Sequence, residues 1–240
     1  MKKMKLPLWL KNFLLLLSVL GPGLITASAD NDAPGIATYS MVGSTYGYNF
    51  LWLILVITVG EVVILEMVAR MGAVTGKGTA DLIREKFGVK ITTFAMFCLL
   101  MANLGTTVAE FAGVAAAGEL FGINKVITVP IMAVIMGLFI LRSNYKIIEK
   151  ILIGLSLAAL SYVATVFIIK PDWGVILHDT LRPQIQLTSD YIVSILAVIG
   201  TTITPWAIFY LQASVADKGV SMENYRDTRL DVTVGSAWGN

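Results

Sequence analysis

Apolar runs long enough to cross a bilayer recur along this chain, and the stretches between them hold most of its lysine and arginine. A spanning helix needs about 20 mostly apolar residues. Inside hydrocarbon every backbone N–H and C=O must find a partner within the protein, which a helix provides from its own residues. Composition agrees. Of 240 residues 56% are hydrophobic and 14% charged, against a charged share of about 25% in a typical soluble domain, and mean hydropathy is +0.77. The chain reads as an all-α integral membrane protein with six spans, at about 12–48, 50–71, 91–121, 126–142, 147–169 and 189–217. One cysteine, Cys98, excludes a disulfide framework; one histidine, His178, excludes a two-histidine zinc site.

The basic residues give an orientation. Lys2, Lys3, Lys5 and Lys11 precede the first span; Arg70, Lys77, Arg84, Lys86 and Lys90 lie between the second and third; Arg142, Lys146 and Lys150 lie between the fourth and fifth; Lys218, Arg226 and Arg229 follow the sixth. Only Lys125, Lys170 and Arg182 fall on the other side, out of 18 in all. Positive charge favours the cytoplasmic side, so the N-terminus and the segment ending near Asn240 are expected there. The lysines, apolar run and "ASA" at 27–29 also mimic a secretory signal. Against that, "GPG" interrupts the run, and the charge alternation requires the first segment to be retained.

The first span is too long. Asn12 to Tyr48 is 37 residues, roughly 55 Å of helix against a hydrocarbon core of about 30 Å. Its middle reads "SADNDAPGIATY". Pro34 donates no backbone hydrogen bond and Gly35 relaxes the dihedral constraint. Two half-helices joined by unwound chain at about 29–35 fit this pattern. Such backbone is tolerated in a membrane where it is buried in protein or lines a cavity, and its carbonyls can bind a cation. Asp30 and Asp32 are then intramembrane carboxylates, which are functional-site candidates by default. The alternative is an extramembrane turn between two spans.

The sixth span repeats the device. "GTTITP", Gly200 to Pro205, interrupts "YIVSILAVIGTTITPWAIFYLQASVAD". Alone this is as compatible with a proline kink whose threonines satisfy the backbone. Paired with the first break, it points to a binding site at the midplane of a repeat-built transporter.

The blocks "GPGLITASADNDAPGIATYSMVGSTYGYNFLW", "EMVARMGAVTGKG", "GTTVAEFAGVAAAGELFG" and "GTTITPWAIFYLQAS", in this order and spacing, resemble helices 1, 2, 3 and 6 of the Nramp family of divalent-metal transporters. The resemblance covers about 20–217. It implies the LeuT-type inverted-repeat fold, with helices 1 and 6 broken around the ion. Residues 1–170 would be the first five-helix repeat, 171–188 an outer loop, 189–217 the broken sixth helix, and 218–240 a cytoplasmic segment, with the remainder of the second repeat absent.

The same resemblance implies a ligand set. The family's Asp-Pro-Gly-Asn motif falls on Asp32, Ala33, Pro34 and Gly35, so Asp32 is the expected metal-binding aspartate and the usual asparagine is replaced by Gly35. Asn31 or Asp30 could compensate. The carbonyl ligands fall on Ala29 and Thr201. The family's Met-Pro-His becomes Thr204, Pro205 and Trp206. A thioether favours transition metals, whereas a threonine hydroxyl is hard; an aspartate with hydroxyl and carbonyl oxygens suits Mg²⁺ or Mn²⁺. This pattern resembles the Nramp-related magnesium transporters. Glu110 matches the family's helix-3 glutamate and is the proton-relay candidate. Thr107, Trp206 and Leu211 replace other groups of the usual proton route, so coupling is expected to be weak or absent.

Other polar residues carry two readings each. Glu61 lies nine residues before Arg70, about 13 Å into the membrane; it borders the path or is structural, with equal support. Glu66 is expected near the interface. "GVAAAG" at 113–118 reads as a packing face, Trp52 and Trp173 as interfacial aromatics, and His178 as a loop residue. The implied function is secondary transport of a divalent cation, with Mg²⁺ or Mn²⁺ favoured. The alternatives are a proton-coupled Mn²⁺/Fe²⁺ transporter, an organic-solute carrier of the same fold, and a non-transporting scaffold or truncated protein. The expected partners are the cation and the lipid bilayer. No cofactor, nucleic acid or enzymatic chemistry is expected, and the sequence leaves the oligomeric state open.

Overall fold

A computed structural model of the chain describes residues 32–142, 160–220, 222 and 225–239. The expected ligands Ala29, Asp30 and Asn31, the first part of the first span and the first part of the fifth lie outside these residues. Among the described residues the regular structure is helical throughout: α1 (Ala33–Tyr46), a 3-10 turn (Gly47–Phe50), α2 (Leu51–Thr75), α3 (Thr79–Leu120), α4 (Lys125–Arg142), α5 (Leu160–Ile169), α6 (Trp173–Leu181), α7 (Ser189–Thr202), α8 (Pro205–Asp217) and α9 (Tyr225–Gly239). Four stretches of these are long and apolar enough to cross a membrane: Ala33–Thr75, Thr79–Leu120, Lys125–Arg142 and Ser189–Asp217.

The ends of these helices follow from local chemistry. Asp32 caps α1, its Oδ1 accepting the Gly35 N–H at 2.7 Å. Pro34 sits in the first turn, where its missing N–H removes nothing the helix uses. The last turn of α2 closes on Gly76, in the left-handed region at φ 62°, with its N–H on the Gly72 carbonyl. Gly88 (φ 79°, ψ 175°) divides α3 into a short leading piece and a long rod. Thr188 caps α7 and Asp172 caps α6. Between α7 and α8, Ile203 and Thr204 leave helical geometry, and Pro205 starts α8. The sixth span is therefore two helices with a two-residue break.

α2 is the post against which α6, α7, α8 and α9 pack. Its buried face runs Leu53, Ile57, Glu61, Leu65, Val68, Ala69 and Gly72. The upper part joins Val42 and Phe50 with Tyr191 and Val198 of α7. There the Tyr46 and Phe50 rings lie 4.9 Å apart, and Tyr191 meets Tyr46 edge-on at 5.3 Å. The lower part joins Leu211 and Val215 of α8 with Tyr225 and Val232 of α9. α9 is tied to α2 by the Tyr225 hydroxyl, which donates to Glu66 at its carbonyl (3.1 Å) and at Oε1 (2.7 Å). Burial, then the Glu66 carboxylate, push this phenol well above the usual tyrosine range. Glu66 also pairs with Arg70 at 3.6 Å.

In lipid, helix association gains little from expelling water, so close backbone approach and hydrogen bonds matter more. Three glycines permit that approach. A side chain at Gly113 would meet Ala33 of α1, and one at Gly118 would meet Thr128 of α4. At Gly72 a Cβ would lie 2.9 Å from the Gln212 carbonyl oxygen and 3.2 Å from the Val215 side chain. Gly72→Val should therefore lower stability by about 1–3 kcal/mol, seen as a drop of several degrees in the thermal unfolding midpoint of the complete polypeptide in detergent.

Candidate metal site

The acidic end of α1 meets the middle of α3. Asp32, Asn103, Thr106, Thr107, Glu110 and Trp206 line a cavity of about 380 Å³. Residues 103, 106, 107 and 110 recur at helical spacing, so one face of α3 forms one wall. Trp206, in the first turn of α8, closes the other side, its ring 6.3 Å from that of Tyr210 one turn on. Asp32 stands at the start of α1 between them.

Glu110 and Asp32 line the same cavity, close enough for their charges to interact. Gly113 explains this approach. It lies one turn from Glu110 on the same face of α3 and packs directly on Ala33. Two ionised carboxylates so placed repel one another; a proton or a cation between them removes the repulsion. Oδ1 of Asp32 is engaged by the Gly35 N–H, which fixes the rotamer and leaves Oδ2 for other partners.

The break in the sixth span stands close by. The Tyr39 hydroxyl of α1 is 2.7 Å from Thr202 Oγ1, which joins the two interrupted segments. In a helix the Thr201 carbonyl would accept from residue 205, and Pro205 has no N–H to give. Thr204 precedes α8 as its N-cap residue, is buried, and makes no side-chain capping bond. Neither Thr201 nor Thr204 lines the acidic cavity. Gly35 is buried in the first turn of α1, its N–H held by Asp32. Glu61 is only 4% exposed and sits on α2 between the two apolar clusters; it does not line the cavity either. Leu211 is wholly buried in the lower cluster. Among the described residues, no three His, Cys, Asp or Glu side chains converge on one point.

Asn103 and Thr106 were not evident from motifs. Counting back from Glu110 at intervals of three, four and seven residues would have found them, since those positions share its face.

Residues 23–240 match the Nramp family, described as natural resistance-associated macrophage protein-like. The chain belongs to the Nramp family. It is similar to the divalent metal cation transporter MntH of Erwinia tasmaniensis, at 31% identity over 225 residues, covering 90% of this chain and 54% of the relative. It is 27% identical to MntH of Verminephrobacter eiseniae over 204 residues, covering 81% and 45%. The structure resembles the crystal structure of the Eremococcus coleocola manganese transporter bound to an aromatic bis-isothiourea compound. That match has a TM-score of 0.78 and 22% identity and covers 99% of this chain and 52% of the other. A crystal structure of a mutant of that transporter matches with a TM-score of 0.79 and 21% identity, over the same shares of the two chains. The chain spans about half the length of the relatives it matches, and its fold is that of an Nramp transporter, an integral membrane protein.

Asp32 serves this family member in two separable ways, as a helix cap and as a charge. Asparagine caps as well as aspartate, whereas alanine forfeits about 1 kcal/mol. Thermal unfolding should find Asp32→Asn close to the parent protein and Asp32→Ala destabilised by about that amount.

Proposed function

We propose that the chain is part of a secondary transporter that moves divalent metal cations across the cell membrane, with Mg²⁺ or Mn²⁺ the favoured substrates. The observation that carries this reading is the Asp32–Glu110 pair in a polar cavity beside the break of the sixth span. A divalent cation neutralises two carboxylates at once, and hard oxygen ligands suit Mg²⁺ and Mn²⁺. Asp32 is the central ligand. By the family pattern the Thr201 carbonyl, left without its helical donor, and the Thr204 hydroxyl, which stand at the break beside the cavity rather than in its wall, complete the set with Ala29, Asp30 and Asn31, while Gly35 leaves room for water where the family carries asparagine. The relatives, named as divalent metal cation and manganese transporters, support divalent metals and manganese; magnesium rests on Thr204 standing where the family has methionine.

The ends of α2 and α8 at Thr75 and Asp217 face the cytoplasm in this reading, because Lys77, Arg84, Lys86 and Lys218 gather there. Residues 1–170 form the first repeat, 171–188 the outer loop and 189–217 the broken helix opening the second repeat; the N-terminus and 218–240 share the cytoplasmic side. The metal is the transported substrate rather than a resident cofactor, and the protein performs no enzymatic step.

Uptake runs mainly on the ion's own gradient. Trp206 cannot relay a proton, Thr107 replaces an aspartate, and Leu211 lies in an apolar cluster away from the cavity. An inside-negative potential favours entry of two charges by about 4.6 kcal/mol per 100 mV. The contact between Glu110 and Asp32 favours a second reading, a proton-coupled Mn²⁺/Fe²⁺ transporter in which Glu110 releases a proton as metal arrives.

Flux measurements in liposomes with the complete polypeptide test both points. Asp32→Asn, which preserves the cap, should abolish saturable Mg²⁺ and Mn²⁺ uptake; undiminished uptake removes the site. A pH-sensitive dye inside the liposomes should record little acidification during metal uptake. Strong metal-dependent acidification that disappears in Glu110→Gln establishes the proton-coupled reading instead.

A further inference from the structure

At the end of α8 remote from the cavity, an amide is buried completely. Gln212 has no exposed surface. Its Nε2 donates to the Lys77 carbonyl at 2.9 Å, and its Oε1 accepts from the Thr79 hydroxyl at 2.6 Å. Lys77 and Thr79 flank Gly78 in the turn from α2 to α3, so one side chain holds both sides of that turn. The backbone of the same residue presses on α2, where Gly72 carries no side chain to obstruct it. Below it, Val215 is fully buried against the same stretch of α2. Nearly two turns above it, on the same helix, Trp206 lines the acidic cavity together with Glu110.

α8 is thus pinned at one end by a polar clasp and presents the cavity wall at the other. Its first residue is a proline preceded by a non-helical break, which lets it tilt as a unit. The short leading piece of α3 that carries Thr79 is separated from the rod carrying Glu110 by the non-helical Gly88. We propose that Gln212 is a positioning residue for transport: its amide clasps α8 to the α2–α3 turn and so sets the separation of Trp206 from the acidic wall, and release of the clasp parts α8 from α2. The clasp suits that task. Parted in a wet vestibule its groups are satisfied by water, whereas left dry and unmatched they are costly, so the joined and parted arrangements are discrete. The proposal rests on the transport reading for its consequence but not for its geometry.

The test uses the complete polypeptide with Cys98→Ser, which removes the exposed native thiol, and Val215→Cys as a reporter sealed between α8 and α2. The rate of maleimide labelling measures parting and requires no metal. Gln212→Met, which keeps volume and removes both hydrogen bonds, should speed labelling roughly ten- to thirtyfold. Thr79→Val removes one bond and should give a smaller increase, and Thr79→Ser should restore the parent rate. The variants should also change the maximal uptake rate of Mn²⁺ while leaving its KM within about twofold, since the Asp32 site is untouched. Labelling unchanged in both Gln212→Met and Thr79→Val overturns the proposal. So does a KM that shifts with the labelling rate, which would place Gln212 in the binding site. If labelling responds as expected and no divalent cation is carried by the parent protein, the clasp stands and the transport reading falls.

Discussion

Polar backbone placed in a hydrocarbon layer costs several kcal/mol for each group left unpaired, and this sequence puts prolines inside its apolar segments, Pro34 and Pro205 among them. Much of the arrangement follows from meeting that cost. The first turn of α1 is capped by Asp32 through the Gly35 N–H, and Glu110 of α3 lines the cavity beside it. At the other break, Thr202 links α7 to Tyr39 of α1. The groups that satisfy the breaks are also groups that could hold a cation.

Packing makes the chemistry possible through side chains that are missing. Gly113 brings α3 against Ala33, which carries Glu110 to Asp32; Gly72 brings α8 against α2, which allows Gln212 to bury its amide. Both contacts join helices far apart in sequence, and both place a polar group at a fixed distance from its partner. A larger residue at either position would separate the helices by the width of a methyl group or more, enough to break a hydrogen bond whose strength falls steeply with distance and angle.

Much of this was legible before the structure. Apolar length set the helices Leu51–Thr75, Lys125–Arg142 and Ser189–Asp217, because a bilayer thickness is a ruler that sequence can be held against. The break at Thr204 was legible because proline states the loss of a donor explicitly. The kink at Gly88 was not; glycine there looks like any loop glycine between a basic stretch and an apolar one. Glu61 was balanced between two roles, and its place between two apolar clusters on α2, off the cavity wall, favours the structural one. Gln212 gave no signal at all. One amide in an apolar helix has no characteristic spacing, and its partners lie more than 130 residues away, in a turn whose position only the folded chain defines.

The two carboxylates at the cavity also bear on why a divalent ion, rather than a monovalent one, would occupy it. Asp32 sits at the N-terminal end of α1, where the helix dipole offsets part of its negative charge. One carboxylate in that position is a modest attraction for Na⁺ or K⁺. Glu110 adds a second negative charge on the wall of the same cavity, and the two charges repel. A single positive charge leaves that pair with a net negative charge. A doubly charged ion removes it, and so gains both attractions and the relief of the repulsion together. On the proposed transport reading, replacing Glu110 by a neutral group leaves Asp32 to balance a divalent ion alone, and Gly113, which lets α3 approach Ala33, matters to that balance as much as either acid.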